Sequence, residues 1–239
     1  MKEIGVCIVV NDLYHSTKYC IENLVSKTKC NIRLHILDNG SKDERISEYL
    51  KDICKDNKGF LKRVEEPISL SEAYNTVIQY SYQDYCCIFP VNILVNDNWC
   101  EELLSEYTMS ENAGIIGIRN GSEKLSLSTI LHKSEETEGY MKNVWFTENN
   151  SVDGILFFAR ERLEKTGNLD TRFDGVGYEI AEFGFRFAAH GFNNYYITKH
   201  TCSKFKVENK ILFPEKTLQG AKRLKEEIEV MVKTKHFKK

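Results

Sequence analysis

The sequence predicts an α/β fold with a doubly wound, mostly parallel central sheet and helices on both of its faces. The first hundred residues alternate between short apolar runs and longer amphipathic ones, the order of strand and helix that builds parallel sheets. The apolar runs are continuous, as expected of strands buried on both faces. Polar residues follow several of these runs, and in such sheets ligands bind beyond the carboxyl ends of the strands.

The composition fits one large domain. The chain has 239 residues, of which 41% are hydrophobic, so it can bury a core and global disorder is excluded. The net charge of -2 gives no general attraction to nucleic acid, and no nucleic-acid partner is expected. Because prolines are few and no Gly/Ser-rich linker appears, we expect one domain over residues 1–212 and a C-terminal amphipathic helix with a basic tail over residues 213–239.

The cysteines indicate the expected compartment. No two of them have the CxxC spacing of zinc ribbons and thioredoxins, and several lie in strand-like runs, where Cys acts as a small hydrophobe. We see no signal peptide before the first strand, and no apolar run reaches the roughly 20 residues of a membrane span. We therefore expect reduced thiols in a cytoplasmic protein. The eight cysteines stand at positions 7, 20, 30, 54, 86, 87, 100 and 202.

Apolar patterning predicts the elements of the first half. Apolar residues at helical spacing predict three helices between the strands, and Ser69 or Ser71 can cap the third by accepting a free N–H in its first turn. Strands are predicted over residues 4–10, 32–37, 60–64 and 85–89, and helices over 16–27, 42–56 and from the capping serine to about 81.

The second half is less regular. Residues 120–150 are polar and are expected to be rich in loops, and Gly191 is a typical helix stop. An amphipathic helix over residues 215–235 ends in basic residues that complement its dipole. This helix could also approach an acidic membrane, which we do not favour, or form a homodimer. Strands are predicted over residues 115–118, 151–159 and 195–198, and helices over 160–166 and 179–190.

Two stretches carry candidate chemistry. In "ILDNGSKD", Asp38 stands at a strand end and could bind a base N–H or ribose hydroxyls, while the N–H groups that follow favour a diphosphate. An ordinary turn with a helix cap would show the same residues. Farther on, Glu179 and Glu182 lie three apart on one helical face. Either could take a proton from an acceptor hydroxyl, or both could only favour the helix dipole.

In this order and spacing, four segments resemble the family 2 glycosyltransferases, whose fold is the GT-A fold, over about residues 4–202. "IGVCIVVND" is similar to the family's first strand and its closing Asn, and "LDNGSKD" to its nucleotide-binding turn. "SLSEAYNTVI" is similar to a helix with an Ala-x-Asn pair. "GNLDTRFDGVGYEIAEFGFRFAAHGF" is similar to the acceptor-side segment, where the family carries Glu-Asp, a further acid and an Arg.

The resemblance implies transfer of a sugar from a nucleoside-diphosphate sugar, UDP-linked by default, to a hydroxyl of a glycan, a lipid-linked sugar or a protein. It implies inversion by single displacement, with Glu182 or Glu179 as the base. Trp145 could stack on a sugar or only pack its loop onto the core. The implied nucleotide-binding residues are Asn11, Asp38, Asn39, Ser41, Asp43 and Asn75. The implied donor or acceptor contacts are Asp153, Gly154, Trp145 and Arg186.

The sequence departs from the family where the chemistry resides. The family's Asp-x-Asp metal motif aligns with Pro90-Val91-Asn92, and the base aspartate of its Glu-Asp pair aligns with Ile180. A hard divalent cation prefers carboxylate oxygens. Asn92 and His200, which stands where many members have a metal-binding His, therefore predict a weak Mn²⁺ or Mg²⁺ site or none.

Two main hypotheses follow from these departures, beside a third, another nucleotide-using α/β enzyme such as a nucleotidyltransferase, which also needs metal carboxylates and gains no support from Pro90-Val91-Asn92. In the first, an active enzyme binds the diphosphate without metal, and arginines stabilise it; by location, the candidates are Arg119, Arg160 and Arg172. In the second, the chain is a catalytically inactive relative that binds a nucleotide, a glycan or a protein.

Overall fold

The computed structural model describes residues 2–120, 135–137, 140–142, 154–173, 178–204 and 226. The helix predicted over residues 215–235 and most of the loop-rich stretch therefore lie outside the described residues. Within these ranges the chain forms a mixed sheet with helices on both faces, which confirms the predicted fold class.

The first half alternates strand and helix as predicted. Ser69 caps the third helix through a capping box, in which its side chain accepts from the Glu72 N–H and the Glu72 side chain accepts from the Ser69 N–H. This reciprocal pairing satisfies two N–H groups that the helix itself leaves free. The strands are β1 (Ile4–Val10), β2 (Ile32–Asn39), β3 (Phe60–Val64) and β4 (Tyr85–Ile88), and the helices are α1 (Tyr14–Lys27), α2 (Glu44–Asp56) and α3 (Leu70–Tyr80).

The second half holds elements that the sequence analysis missed. Short strand β5 (Ile93–Leu94) and helix α4 (Trp99–Met109) were not predicted. The last strand has 12 residues rather than the expected four. Two short strands occur where only loop was expected. The elements are β6 (Ala113–Asn120), β7 (Glu135–Thr137), β8 (Tyr140–Lys142), β9 (Ile155–Ala159), α5 (Arg160–Thr166), α6 (Tyr178–Ala189) and β10 (Asn193–Lys204).

The sheet has the order β3-β2-β1-β4-β9-β6-β10-β8-β7, and β5 pairs with β10 beside this path. β1 is parallel to β2 and β4, and β2 is parallel to β3. β9 runs antiparallel to both of its neighbours, β4 and β6. The carboxyl ends of β1 to β4 therefore share one edge with the amino end of β9. We call this edge the carboxyl edge.

Two apolar clusters cover the two faces of the sheet. The first packs α1, α2 and α4 on one face of β1, through residues such as Leu24, Leu50 and Leu103. The second packs α3 and α6 on the other face, through residues such as Val77 and Phe183. All seven residues of β1 are buried, as the continuous apolar run predicts. No helix in the described ranges is long and apolar enough to cross a lipid bilayer.

Candidate functional site

The loops after β1 and β2 are joined at the carboxyl edge. Asn11 Nδ2 donates to the Asn39 carbonyl at 2.6 Å, and the Asp12 N–H donates to Ser41 Oγ at 2.9 Å. Asp12 Oδ1 in turn accepts the backbone N–H groups of Lys42 and Asp43, at 2.7 and 3.1 Å. The sequence analysis gave Asp12 no role. The available sequence signal was an acid directly after a strand. Asp is one of the few residue types that adopt a left-handed conformation, and the φ of Asp12 is 53°.

Asp38 is buried, and both of its carboxylate oxygens have partners in the protein. Oδ1 accepts the Ser41 N–H at 3.0 Å, and Oδ2 accepts from Arg63 Nη1 at 3.0 Å and from Ser47 Oγ at 3.3 Å. Arg63 also donates to the Ser41 carbonyl at 2.8 Å. The Arg63 side chain is 39% exposed and that of Asp38 is 2% exposed, so Arg63 is the member of the pair that faces solvent.

Strand pairing explains why Arg63 is there. In the parallel register of β2 and β3, Asp38 lies opposite Arg63. The sequence alone gives no register between these strands, so Arg63 could not be singled out from it. Once paired, the guanidinium compensates a carboxylate that would be costly to bury alone.

A third loop completes this edge. The side-chain amide of Asn39 donates to the Ile68 carbonyl and accepts the Ile68 N–H, both at 2.9 Å. Gly40 has a φ of +74°, and a Cβ there would lie 2.9 Å from Pro67 N and Cδ. Only glycine fits this close approach without strain. The loops after β1, β2 and β3 therefore form one connected structure, which we call the rim.

Asp43 faces a different part of the rim. It caps α2 by accepting the Arg45 N–H at 3.1 Å, and it pairs with the Arg45 guanidinium, which lies 4.8 Å above the centre of the Tyr14 ring. The hydrogen bond from the Arg45 side chain lowers the pKa of the Asp43 carboxyl. Asp43 and Arg45 line an open pocket of about 610 Å³ together with residues at the start of α1, including Tyr14 and His15.

The acceptor-side turn is held by two side chains. The amide of Asn75 donates to the Leu169 carbonyl at 2.8 Å and accepts the Leu169 N–H at 2.9 Å. Arg186 Nη1 donates to the carbonyls of Thr166 and Asn168, at 3.0 and 2.6 Å. Asn75 and Arg186 therefore both act on the turn between α5 and the 3₁₀ turn at Thr171–Phe173.

The two candidate bases lie in α6, and both are buried. Both carboxylate oxygens of Glu182 accept hydrogen bonds from Arg186. Glu179 lies near the Tyr74 phenol, whose pKa is raised by burial and then by the negative charge of Glu179. Ile180 packs in the second apolar cluster, so the position where the family has its base aspartate is part of the core.

Segment 90–98 runs along α1. Cys20 Sγ donates to the carbonyls of Pro90 and Ile93, at 3.6 and 3.0 Å. The amide of Asn23 donates to the Val95 carbonyl and accepts the Val95 N–H. These contacts fix the path of the segment that carries Pro90-Val91-Asn92.

The backbone geometry at residues 90–98 and β10 bears on the proposed metal ligands Asn92 and His200. Lys204 pairs with Ile93 in an antiparallel register, so His200 stands four residues farther along β10, about 13 Å from that pair. The strand pairing thus does not bring His200 beside Asn92. Asn92 offers a neutral carbonyl oxygen rather than a carboxylate. Within the described ranges, no three His, Cys, Asp or Glu side chains form a group that could hold a metal ion.

The other candidates occupy several places. Gly154 stands two residues before Leu156, which pairs with Ile88 at the end of β4, so Gly154 lies at the carboxyl edge. Arg160 was suggested as a diphosphate ligand, but it lies at the opposite edge and donates to the carbonyls of Ile78 and Ser81. The guanidinium of Arg172 pairs with Asp170. Trp145 and Asp153 lie outside the described residues.

Comparison with known proteins identifies relatives of this arrangement. The model of the family described as "Glycosyl transferase family 2" matches residues 6–168. No curated protein matches the chain. The structure of GalNAc-T7 with UDP, GalNAc and Mn²⁺ has a TM-score of 0.68 at 15% identity, and covers 95% of this chain and 48% of that one.

A second solved structure is that of the mannosyltransferase PcManGT from Pyrobaculum calidifontis with GDP-Man and Mn²⁺. It has a TM-score of 0.62 at 11% identity, and covers 86% of this chain and 57% of that one. The chain therefore spans about half the length of these two structures. At these identities the likeness is evidence for a shared fold.

Proposed function

The chain belongs to glycosyl transferase family 2, and on this basis we propose that it binds a nucleoside-diphosphate sugar and transfers the sugar to a hydroxyl acceptor. Its fold is the GT-A fold. The observation that carries the proposal is the rim, where hydrogen bonds between loops fix "LDNGSKD" at the carboxyl edge. Such preorganisation lowers the entropic cost of ordering the site when a ligand binds.

We propose that the nucleotide binds against the rim and Arg63. The side chains of Asn11, Asp38, Asn39 and Ser41 are engaged in holding the rim, so their proposed role is to position backbone groups and the Arg63 guanidinium. Asp43 would contact the nucleotide from the open pocket that it lines together with Arg45. GalNAc-T7 was solved with UDP and PcManGT with GDP-Man, which supports a nucleoside diphosphate without choosing the base.

We propose inversion by single displacement, with Glu179 as the base. The acceptor oxygen attacks the anomeric carbon, the hydroxyl proton passes to a carboxylate, and the nucleoside diphosphate leaves with the bonding electrons. Glu182 is the alternative base, and Arg186 binds both of its oxygens; a bound guanidinium disfavours protonation. Asn75 and Arg186 would position the turn that faces the acceptor.

A second candidate function is binding without turnover. It is favoured by the burial of Ile180 in the core and by the lack of a carboxylate at residues 90–92. Such a protein would hold a nucleotide, a glycan or a partner protein at the rim. Both candidates expect nucleotide binding that does not depend on Mn²⁺, because the side chains of Pro90-Val91-Asn92 include no carboxylate.

Calorimetric titration with UDP, GDP and their sugar conjugates, with and without Mn²⁺, tests the shared part of the proposal. We expect binding of at least one nucleotide with the same affinity in both conditions. No binding in either condition would overturn the nucleotide-sugar proposal. Binding that requires Mn²⁺ would contradict the expectation that the nucleotide binds without a metal ion.

The next measurement is the release of free nucleotide from the sugar conjugate that binds. It distinguishes an active transferase from a module that binds without turnover. In an enzyme, Glu179→Gln abolishes release and keeps the nucleotide affinity of the wild type. Glu182→Gln is the matched variant on the same helix, and it is expected to affect unfolding more than release. If the wild type binds the donor and releases nothing in a screen of hydroxyl acceptors, the binding module is the better account.

A further inference from the structure

The turn after α1 is joined to the start of α4, on the face that carries the first apolar cluster. Four contacts of 2.8 to 3.0 Å connect the two segments, and they include both side-chain and backbone atoms. They follow one another along both segments, so this is a continuous seam rather than a single contact. The seam joins Lys27 to Asp97, Thr28 to Trp99, and Lys29 to Asn98 and Glu101.

Two cysteines meet at the end of this seam. The Cys30 and Cys100 side chains are close enough to interact, and both residues pack in or against the first apolar cluster. Cys100 is fully buried, whereas Cys30 is half-buried. The contact with Cys30, followed by burial, raises the pKa of the Cys100 thiol. Cys30 is therefore the thiol that a reagent in solvent can reach, and Cys100 is the thiol placed to react next.

The other cysteines with described side chains lack this combination. Cys7, Cys86 and Cys87 lie on central strands of the sheet and are fully buried. The Cys20 thiol donates to backbone carbonyls of segment 90–98. Cys54 is buried and its thiol donates to the Phe60 carbonyl. Burial keeps these thiols from direct contact with an oxidant in solvent, which the proposal requires of Cys30 alone.

We propose that Cys30 and Cys100 form a reversible disulfide when the protein meets a low-molecular-weight disulfide such as oxidised glutathione. The Cys30 thiolate attacks one sulfur of the reagent and releases one glutathione thiol. The Cys100 thiol then gives up its proton and attacks the Cys30 sulfur of the mixed disulfide, which releases a second glutathione thiol. Two protein thiols are oxidised and one reagent disulfide is reduced.

The disulfide would restrain segment 90–98 from its far end. Cys20 already holds the near end through Pro90 and Ile93, and Cys100 stands two residues beyond the segment's end. Oxidation would therefore slow hydrogen exchange in residues 93–98 while leaving the rim unchanged. The inference does not depend on sugar transfer, because Cys30 and Cys100 lie between the turn after α1 and helix α4, and neither residue belongs to the rim.

The test is to incubate the full chain with oxidised glutathione, block the remaining thiols and map a non-reducing digest by mass spectrometry. We expect one peptide pair linked through Cys30 and Cys100. Because the bond closes a loop of roughly 70 residues, we also expect Tm to rise by about 5–15 °C and to return to its starting value on reduction.

The controls distinguish this pair from nonspecific oxidation. Cys30→Ser changes a half-buried turn residue and is expected to abolish both the linked peptide and the Tm shift. Cys54→Ala, which removes a thiol elsewhere in the same cluster, should retain both. A different cysteine pairing, or Cys30 that carries glutathione while Cys100 stays reduced, would overturn the proposal. The linked peptide is measured on the wild type, so the result holds even if a variant fails to fold.

Discussion

Arg186 binds both carboxylate oxygens of Glu182, one through Nε at 2.7 Å and the other through Nη2 at 2.5 Å. The remaining terminal nitrogen of the guanidinium reaches the carbonyls of Thr166 and Asn168. One side chain therefore neutralises a buried acid and ties α6 to the turn after α5. Four hydrogen bonds on one guanidinium use most of its five donors.

Replacing this guanidinium should destabilise the fold. We expect Arg186→Ala to lower the free energy of unfolding by about 3 kcal/mol, because it leaves Glu182 as a buried charge without its partner. Urea denaturation measures the change. Lys18→Ala is the matched control, since it removes an exposed i,i+4 pair with Glu22 and should change the free energy by less than about 0.5 kcal/mol. Equal effects of the two variants would contradict this account.

Gly40 offers a test of rim rigidity. We expect Gly40→Ala to cost about 1–3 kcal/mol of unfolding free energy and to weaken nucleotide binding, because its Cβ would contact Pro67 and its φ is +74°. Gly191→Ala is the control, since Gly191 also has a positive φ but a Cβ there would meet no atom within 4 Å. Thermal unfolding and nucleotide titration of both variants should show the larger loss for Gly40. If only Gly191→Ala is destabilised, the contact with Pro67 is not a constraint.

The buried His35 predicts that the protein loses stability in mild acid. Burial lowers the pKa of His35 below its usual value of 6.5, so below about pH 6.5 the unfolded chain takes up a proton that the folded one resists. This contribution is fully present above pH 6.5 and falls as the pH drops toward the folded pKa. Urea denaturation between pH 7.5 and 5 should show this slope in the wild type.

Two histidine variants test whether His35 causes this pH dependence of stability. We expect His35→Gln to flatten the slope, because it removes the titrating ring beside Gln83. His190→Gln should keep it, since His190 is exposed. A slope that persists in His35→Gln would assign the acid sensitivity to other groups.

Introducing carboxylates at residues 90 and 92 should create a metal site. We expect the double variant Pro90→Asp, Asn92→Asp to bind Mn²⁺ and gain thermal stability in its presence, because carboxylate oxygens supply the ligands that a hard cation needs. The wild type should show no shift of Tm with Mn²⁺. The variant Pro90→Ala, Asn92→Ala controls for the loss of proline. If the Asp variant binds no more Mn²⁺ than the Ala variant, the side chains at residues 90 and 92 cannot coordinate the same ion, and the prediction is wrong.

Much of the fold could be predicted because local pattern and burial agree. The run Ile4–Val10 is a strand with its predicted bounds, and Arg160–Thr166 is a helix with its predicted bounds. Helix α4 was missed although Trp99, Leu103 and Tyr107 have helical spacing. The sequence does offer a start signal, since Asn98 stands directly before the helix and Glu101 follows three residues later, and the sequence analysis did not use it. In the structure Asn98 is left-handed and its side chain makes no capping hydrogen bond. The reversal of β9 was also hidden, because strand direction is set by pairing.

The site was less predictable, because its contacts depend on register and on loops that meet only in the fold. "LDNGSKD" indicated the rim, and its residues do lie there. That Asp38 is held by Arg63, or Asn39 by the backbone of Ile68, follows from pairing of distant segments. The clearest example is Asn75, whose partner Leu169 lies 94 positions away. Side-chain type alone could not reveal such partners.

Segment 90–98 is held by bonds to its main chain. Cys20 and Asn23 reach carbonyl and N–H groups of Pro90, Ile93 and Val95, and every residue type except proline offers both of these groups. The path of the chain therefore does not depend on which side chains stand at residues 90–92. Substitutions there can add or remove ion-binding groups while the bonds from Cys20 and Asn23 keep the segment in place.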